Sequence, residues 1–258
     1  MLTRTVTIHH VRAALLGAQR AGVDVAPLLE RSGIPVALLE VEQARVSTEQ
    51  FARLVKELWT ALDDEFLGSG AAPSKVGTFA MMCHATVHCS RDLRAALRQA
   101  ADFYALFPGG PRFRLVETAA AGEGVAEARI EFAFSGQRDP DSFAAETLLV
   151  VAHRFSGWLI RRRIQLLRVE LSYPAPAHVL EYDLLFGAPC VFDAPVTAAV
   201  FDRSLLDEPV LQDEAGLNAF LRRAPEDVLA RIDYGSTTAT RVRRLVGQEL
   251  PGDRKSVV

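Results

Sequence analysis

Cysteine is scarce and unpaired in this sequence: Cys83, Cys89 and Cys190 make an odd number, with no CxxC spacing. That excludes a disulfide scaffold and points to reduced thiols in a cytosol-like compartment. The N-terminal Met1-Leu2-Thr3-Arg4-Thr5-Val6-Thr7-Ile8-His9-His10 lacks the apolar core of a signal peptide. No uninterrupted apolar run approaches the roughly 18 residues of a membrane span. The expectation is a soluble, cytoplasmic chain. Phosphate-loop motifs of the GxGxxG and GxxxxGK[ST] types are missing, as is a GxSxG nucleophile elbow. None of the six histidines stands in an HExxH context. Without a recognisable nucleophile–base or acid–base pair, the chain is not expected to be an enzyme, and no cofactor or bound metal is implied. A surplus of positive charge is missing too. The formal net charge is −3, whereas a dedicated DNA-binding module is basic, so any contact with nucleic acid belongs to a local patch or to another region of the protein.

What is present is an ordinary globular composition, 49% hydrophobic and 24% charged, whose periodicity changes along the chain. The first third has helical spacing. His10–Arg20 is short and amphipathic. Asp24 can cap a helix through Leu28-Leu29-Glu30 that stops at Gly33. Ser47 and Gln50 have capping-box spacing ahead of Phe51, Leu54, Val55, Leu58 and Leu62, which recur along one buried face. Gly77–His88 reads as a buried helix, and Ser90 as the cap of a helix carrying Leu93, Leu97, Ala100 and Tyr104 on one side. After Pro108-Gly109-Gly110-Pro111 the period becomes two, in Arg112–Glu117 and Val125–Phe134, which predicts a hairpin turning at Gly122/Gly124. A helix over Ser142–Arg163 follows, then a strand over Leu167–Tyr173, a short helix over Pro176–Phe186, strands at Cys190–Asp193 and Val196–Asp202, and helices over Glu214–Ile232 and from Ser236. The expected fold is α+β. A helical N-terminal subdomain packs on a mixed or antiparallel sheet of about 4–5 strands in the order β-β-α-β-α-β-β, with helices at the C-terminus.

Three features carry candidate chemistry. Cys83, His84, His88 and Cys89 cluster on one helix. His84 and His88 share a face, a spacing that two metal ligands can use, but the cysteines splay away from it. The simpler reading is packing, and the alternative is a metal- or redox-sensing module. Arg161-Arg162-Arg163 and Arg241, Arg243 and Arg244 are basic clusters that read as solvated helix ends and faces. Third, aromatic and sulphur side chains concentrate where the helices meet the hairpin. Most belong to the core. Any gap between helices and sheet would be an apolar, adaptable ligand site lined by Met81, Met82, Phe103, Tyr104, Phe107, Phe134, Phe155 and Trp158, with Arg114 or His84 holding a polar head group.

The sequence also resembles a known family. Val76-Gly77-Thr78-Phe79-Ala80-Met81-Met82 with Asp92-Leu93-Arg94-Ala95-Ala96-Leu97 is similar to a helix pair of one AraC/XylS-type branch of transcription regulators, the branch with an arabinose-binding-like N-terminal domain. Arg168–Pro176 resembles its strand ending in a proline-rich turn, and Tyr182-Asp183-Leu184-Leu185-Phe186-Gly187-Ala188-Pro189-Cys190-Val191-Phe192 its most specific segment. The resemblance spans about residues 10–251. It implies an effector-binding domain over 1–210, helical over residues 1–108 and α+β over residues 109–210. It further implies a helical dimerisation or linker segment over 211–235, a homodimer, and the start of a DNA-binding domain at 236–258, whose two helix-turn-helix units would lie in the major groove and are missing here. The apolar candidate lining argues for a fatty-acid-like, acyl or aromatic effector rather than a sugar.

Overall fold

The computed structural model describes residues 5–119, 125–134, 142–176, 179, 182 and 185–225. The hairpin turn at Gly122/Gly124, most of the expected helix 176–186, and everything expected from Glu226 onward lie outside them.

The chain opens with a two-stranded antiparallel ribbon, β1 (Thr5–Thr7) on β2 (Arg45–Ser47). Each strand leads directly into a helix: α1 (Ile8–Arg20) and α3 (Thr48–Leu62). At three residues each, these strands are too short to show an alternating pattern, and sequence periodicity does not reveal them. Between them lies α2 (Ala26–Arg31), whose start is marked by Asp24 accepting the Ala26 N–H at 3.1 Å. The capping box at α3 forms as its spacing predicts. The Ser47 hydroxyl accepts the Gln50 N–H at 3.1 Å, and the Gln50 side chain accepts the Ser47 N–H at 2.8 Å, which satisfies two helix-end donors at once. Ile8, Val11, Leu15, Leu29, Leu54 and Leu58 are fully buried and form a first, helical core.

A loop leads to α4 (Thr78–Cys89) and α5 (Leu93–Ala105). Asp92, not the expected Ser90, caps α5, accepting the Ala95 N–H at 2.8 Å. The hairpin follows as β3 (Arg112–Thr118) and β4 (Glu127–Ala133), then α6 (Phe143–Leu159), β5 (Leu166–Glu170), β6 (Cys190–Val191), β7 (Thr197–Asp202) and α7 (Glu214–Arg223). The sheet order is β3-β4-β7-β5-β6, antiparallel throughout except for the parallel β5–β6 pair. The α+β architecture with a mixed sheet is therefore as read from the sequence. Two ends differ. Helix α6 stops at Leu159, because Arg161 takes a left-handed φ of 50°. The three arginines therefore lie beyond the helix, and Arg162 pairs with Glu208. Helix α4 is only half buried: Met82, Cys83, Thr86 and Val87 face inward while Met81 is 61% exposed.

The register places Phe113, Leu115, Ile130, Phe132, Phe201 and Val169 on one face of the sheet, against α5 and α6, in a second core. The other face carries a lattice of ion pairs. Arg129 bridges Glu131 at 3.0 Å and Glu170, and Arg168 joins Glu127 at 2.6 Å to Glu170 at 2.8 Å. Their stems cover Val200, which is fully buried between them. No helix among the described residues is long and apolar enough to cross a membrane.

Candidate functional site

The two cores do not close on each other. Between them lies a cavity of about 150 Å³. Phe51, Val55 and Trp59 of α3 form one wall. Ala144, Leu148, Val151, Ala152 and Phe155 of α6 form another. Phe79 and Met82 of α4, Leu97, Ala100 and Tyr104 of α5, and Phe113 and Phe132 of the sheet complete it. Alanines at 100, 144 and 152 share this lining with the rings of Phe51, Trp59, Phe79, Tyr104 and Phe155.

The lining is mostly apolar, with Ser69, Thr147 and the Tyr104 phenol as neutral polar members. Glu65 borders the cavity and is its one charged side chain among the described residues. Its two carboxylate oxygens accept the N–H groups of Gly77 and Phe79, each at 2.8 Å. Glu65 thus supplies the cap of α4, whose own cap position is Gly77, without a side chain. Burial pushes the Glu65 carboxyl above its usual range, against those two hydrogen bonds. The loop holding it is fixed by Asp64, which accepts from Phe66 at 3.0 Å and from Gly68 and Ser74, both at 2.8 Å. The Trp59 indole donates to the Glu65 carbonyl at 3.0 Å. Burial, with the Glu65 charge adding to it, raises the Tyr104 phenol well above its ordinary value.

Beside the cavity, a chain of polar contacts crosses the seam between the two cores. Thr7 bonds His10 at 2.7 Å, and His10 meets the buried Glu146 at 3.1 Å. Tyr182 donates to the same carboxylate and contacts Tyr173 at 3.1 Å. Glu146 stands on α6 between Ala144 and Thr147, both of which line the cavity.

Of the residues expected to form a ligand site, Met82, Tyr104 and Phe155 border the cavity and the others do not. Met81 is exposed, and His84 stacks on His88 at 6.0 Å on the outer side of α4. Phe103 and Phe107 pack on each other at 5.1 Å, with Phe107 exposed. Phe134 stacks on Phe132 at 6.2 Å from the end of its strand. Trp158 lies one layer behind the wall, stacked on Phe220 of α7 at 4.4 Å. Arg114 occupies the ion-paired face of the sheet, 2.8 Å from Glu131. Period-two alternation sets Arg114 opposite Phe113, so the same pattern that buries one exposes the other. Glu65 and Phe79 carry no motif. Glu65 follows Asp63 and Asp64 in a run that looks solvated, and only the fold brings it to α4. Phe51 and Val55 are legible as a buried face, but not as facing a void.

The helix-borne cysteine–histidine cluster does not assemble into a metal centre. Cys83 is fully buried while Cys89 is exposed, and no group of three or more potential ligands forms among the described residues. Burial raises the Cys83 thiol well above its ordinary value, the opposite of a redox-active thiolate.

Comparison with known proteins gives consistent results. Residues 22–210 match the family described as the arabinose-binding domain of AraC transcription regulator, N-terminal. A curated relative, the ornithine utilization regulator of Pseudomonas aeruginosa, is 31% identical over 111 residues, or 43% of this chain and 32% of the relative. The match thus spans about a third of that protein's length. A solved structure of the transcriptional regulator CdpR from Pseudomonas aeruginosa aligns over 95% of this chain and 72% of its own at 11% identity. Its TM-score is 0.36, too low to argue from. These are regulators and not enzymes, and the chain belongs to the family of arabinose-binding N-terminal domains of AraC transcription regulators.

Proposed function

We propose that this chain senses a small apolar or amphipathic effector, aromatic or acyl in character, in the cavity between its two cores. It does so as the regulatory portion of a bacterial DNA-binding transcription regulator. The observation that carries the reading is the largely apolar, aromatic lining of this cavity. A sugar needs several convergent hydrogen-bonding side chains, and this lining offers few. Ornithine, which carries two ammonium groups and a carboxylate at neutral pH, would have little to gain from such walls, so the name of the ornithine utilization regulator is not carried over as a ligand.

The position of the cavity also suggests how occupancy is passed on. Ala224 and Pro225, immediately after α7, border it. Helix α7 itself docks through Phe220 against Trp158, and also against the wall residues Phe155 at 6.1 Å and Phe79 at 6.3 Å. A ligand pressing on Phe79 or Phe155 acts on the helix that leads toward residues 236–258, the expected start of the DNA-binding domain. A homodimer follows from the family plan. Helix α6 spends most of its surface inside the fold, which favours α7, with Glu214, Asn218, Arg222 and Arg223 exposed, as the pairing element within the 211–235 segment.

A thermal-shift screen of the full chain against a metabolite panel tests the effector reading. Aromatic or acyl compounds should raise Tm, and stabilisation by sugars alone would sink the idea. Light scattering at high protein concentration should give the mass of a dimer; a monomer counts against the pairing.

A further inference from the structure

We propose that Glu65 selects the effector's head group, so that the cavity accepts an apolar molecule ending in a hydrogen-bond donor, an amine or hydroxyl, and rejects one ending in a free carboxylate. This inference rests on the cavity being the effector site. Its chemistry departs from a fatty-acid-like ligand held by a basic residue, because the lining contains no arginine, lysine or histidine among the described residues. The nearby Arg112 is spent on the Tyr104 and Phe107 carbonyls, at 3.2 and 3.1 Å.

Glu65 retains capacity for a ligand. A carboxylate offers about four acceptor positions, and the backbone donors of α4 take one on each oxygen. Those N–H groups lie at a helix start, where the dipole favours the ionised form and works against the burial that raises this carboxyl. A donor arriving from the cavity therefore finds a fixed acceptor among aromatic walls, where an ion pair or hydrogen bond is little screened. A carboxylate arriving there meets a like charge in the same poorly screened space. A side chain at position 77 could reach the Phe79 N–H but not its own, so Glu65 serves both donors from outside the helix while bordering the cavity.

Three probes of equal length separate the possibilities: n-hexylamine, 1-hexanol and hexanoate, titrated into the full chain at neutral pH and constant ionic strength, with toluene as the neutral control. The amine and the alcohol are expected to bind at least about tenfold more tightly than hexanoate. Glu65→Gln, which removes the charge and keeps one acceptor oxygen, should bring hexanoate to within a few-fold of hexanol and remove the preference for the amine. Hexanoate binding as tightly as hexanol to the unaltered protein overturns the proposal, as does an unchanged order in Glu65→Gln. Should that variant fail to fold, the order measured on the unaltered protein decides by itself. The two layers fail differently. Toluene and hexanoate binding without preference for a donor sinks the head-group assignment alone. No binding by any of the four sinks the effector-site reading, and the assignment with it.

Discussion

His153 shows how a single buried group ties stability to pH. It is 3% exposed, and its Nε2 contacts the Ile164 carbonyl at 2.8 Å as the neutral tautomer that donates there. Burial pushes its pKa down from 6.5 to about 4. The unfolded chain takes up the proton near 6.5 and the folded one only near 4. This contribution is therefore complete above pH 6.5 and is lost as pH falls toward 4, by about 3 kcal/mol in all. The carboxylates held down by arginines, Glu117 by Arg94 and Glu127 by Arg168, contribute fully above their ordinary value of 4.5 and lose that contribution only below it. Urea denaturation at pH 7.5, 6 and 5 should show stability falling across that interval, and His153→Gln should flatten the fall; a flat profile in the unaltered protein would refute it. Gly17 supplies a second case at this scale. A Cβ there would stand 1.6 Å from the Leu67 carbonyl oxygen, so α1 touches the loop backbone directly. Gly17→Ala should cost about 1–3 kcal/mol, read as a lower urea midpoint. Neither residue announces itself in the sequence, since a lone histidine or glycine in a helical pattern says nothing about what lies across from it.

At the scale of elements, local chemistry was largely legible. The Ser47–Gln50 box and the period-two hairpin form where their spacing places them, whereas Val25 holds the cap position of α2 and Asp24 accepts the Ala26 N–H from one residue before it. What misled was competition between neighbours. Ser90 and Asp92 are both capable caps, and it is the Asp92 carboxylate, directly ahead of Leu93, that accepts the Ala95 N–H. Alanines on α5 and α6 read as good helix formers, and their place in the cavity lining depends on a partner element that periodicity does not name. Filling that cavity separates stability from function. Ala152→Leu should leave Tm unchanged or raised, while abolishing the shift produced by any cavity ligand. Retention of a full ligand-induced shift would place the binding site elsewhere.

At the scale of the whole molecule, the consequential feature is the seam. Two cores meet along the His10–Glu146–Tyr182 contacts, with the cavity beside them and α7 stacked behind its wall. None of this is visible in a single window of sequence, because each wall comes from a different stretch of chain. The family resemblance named the family that matches residues 22–210 but did not indicate which aromatic residues face the cavity. If occupancy is passed to α7 through Phe155 and Phe79, Phe220→Ala should weaken the docking of α7. In a Trp59→Phe background, which leaves Trp158 as the sole indole, the emission of Trp158 should shift to the red. The loss of one large aromatic contact is expected to cost about 3–5 kcal/mol locally. The ligand-induced change in that emission should then disappear. An unchanged spectrum and response would uncouple α7 from the cavity.

The central claim is that the void between the cores is where an effector sits. A crystal structure of the full chain grown with the best stabilising compound from the metabolite screen tests it most directly. The account predicts density enclosed by Phe51, Phe79, Tyr104, Leu148 and Phe155, with a donor group toward Glu65. Ordered ligand on any other surface, with this cavity empty, would contradict it.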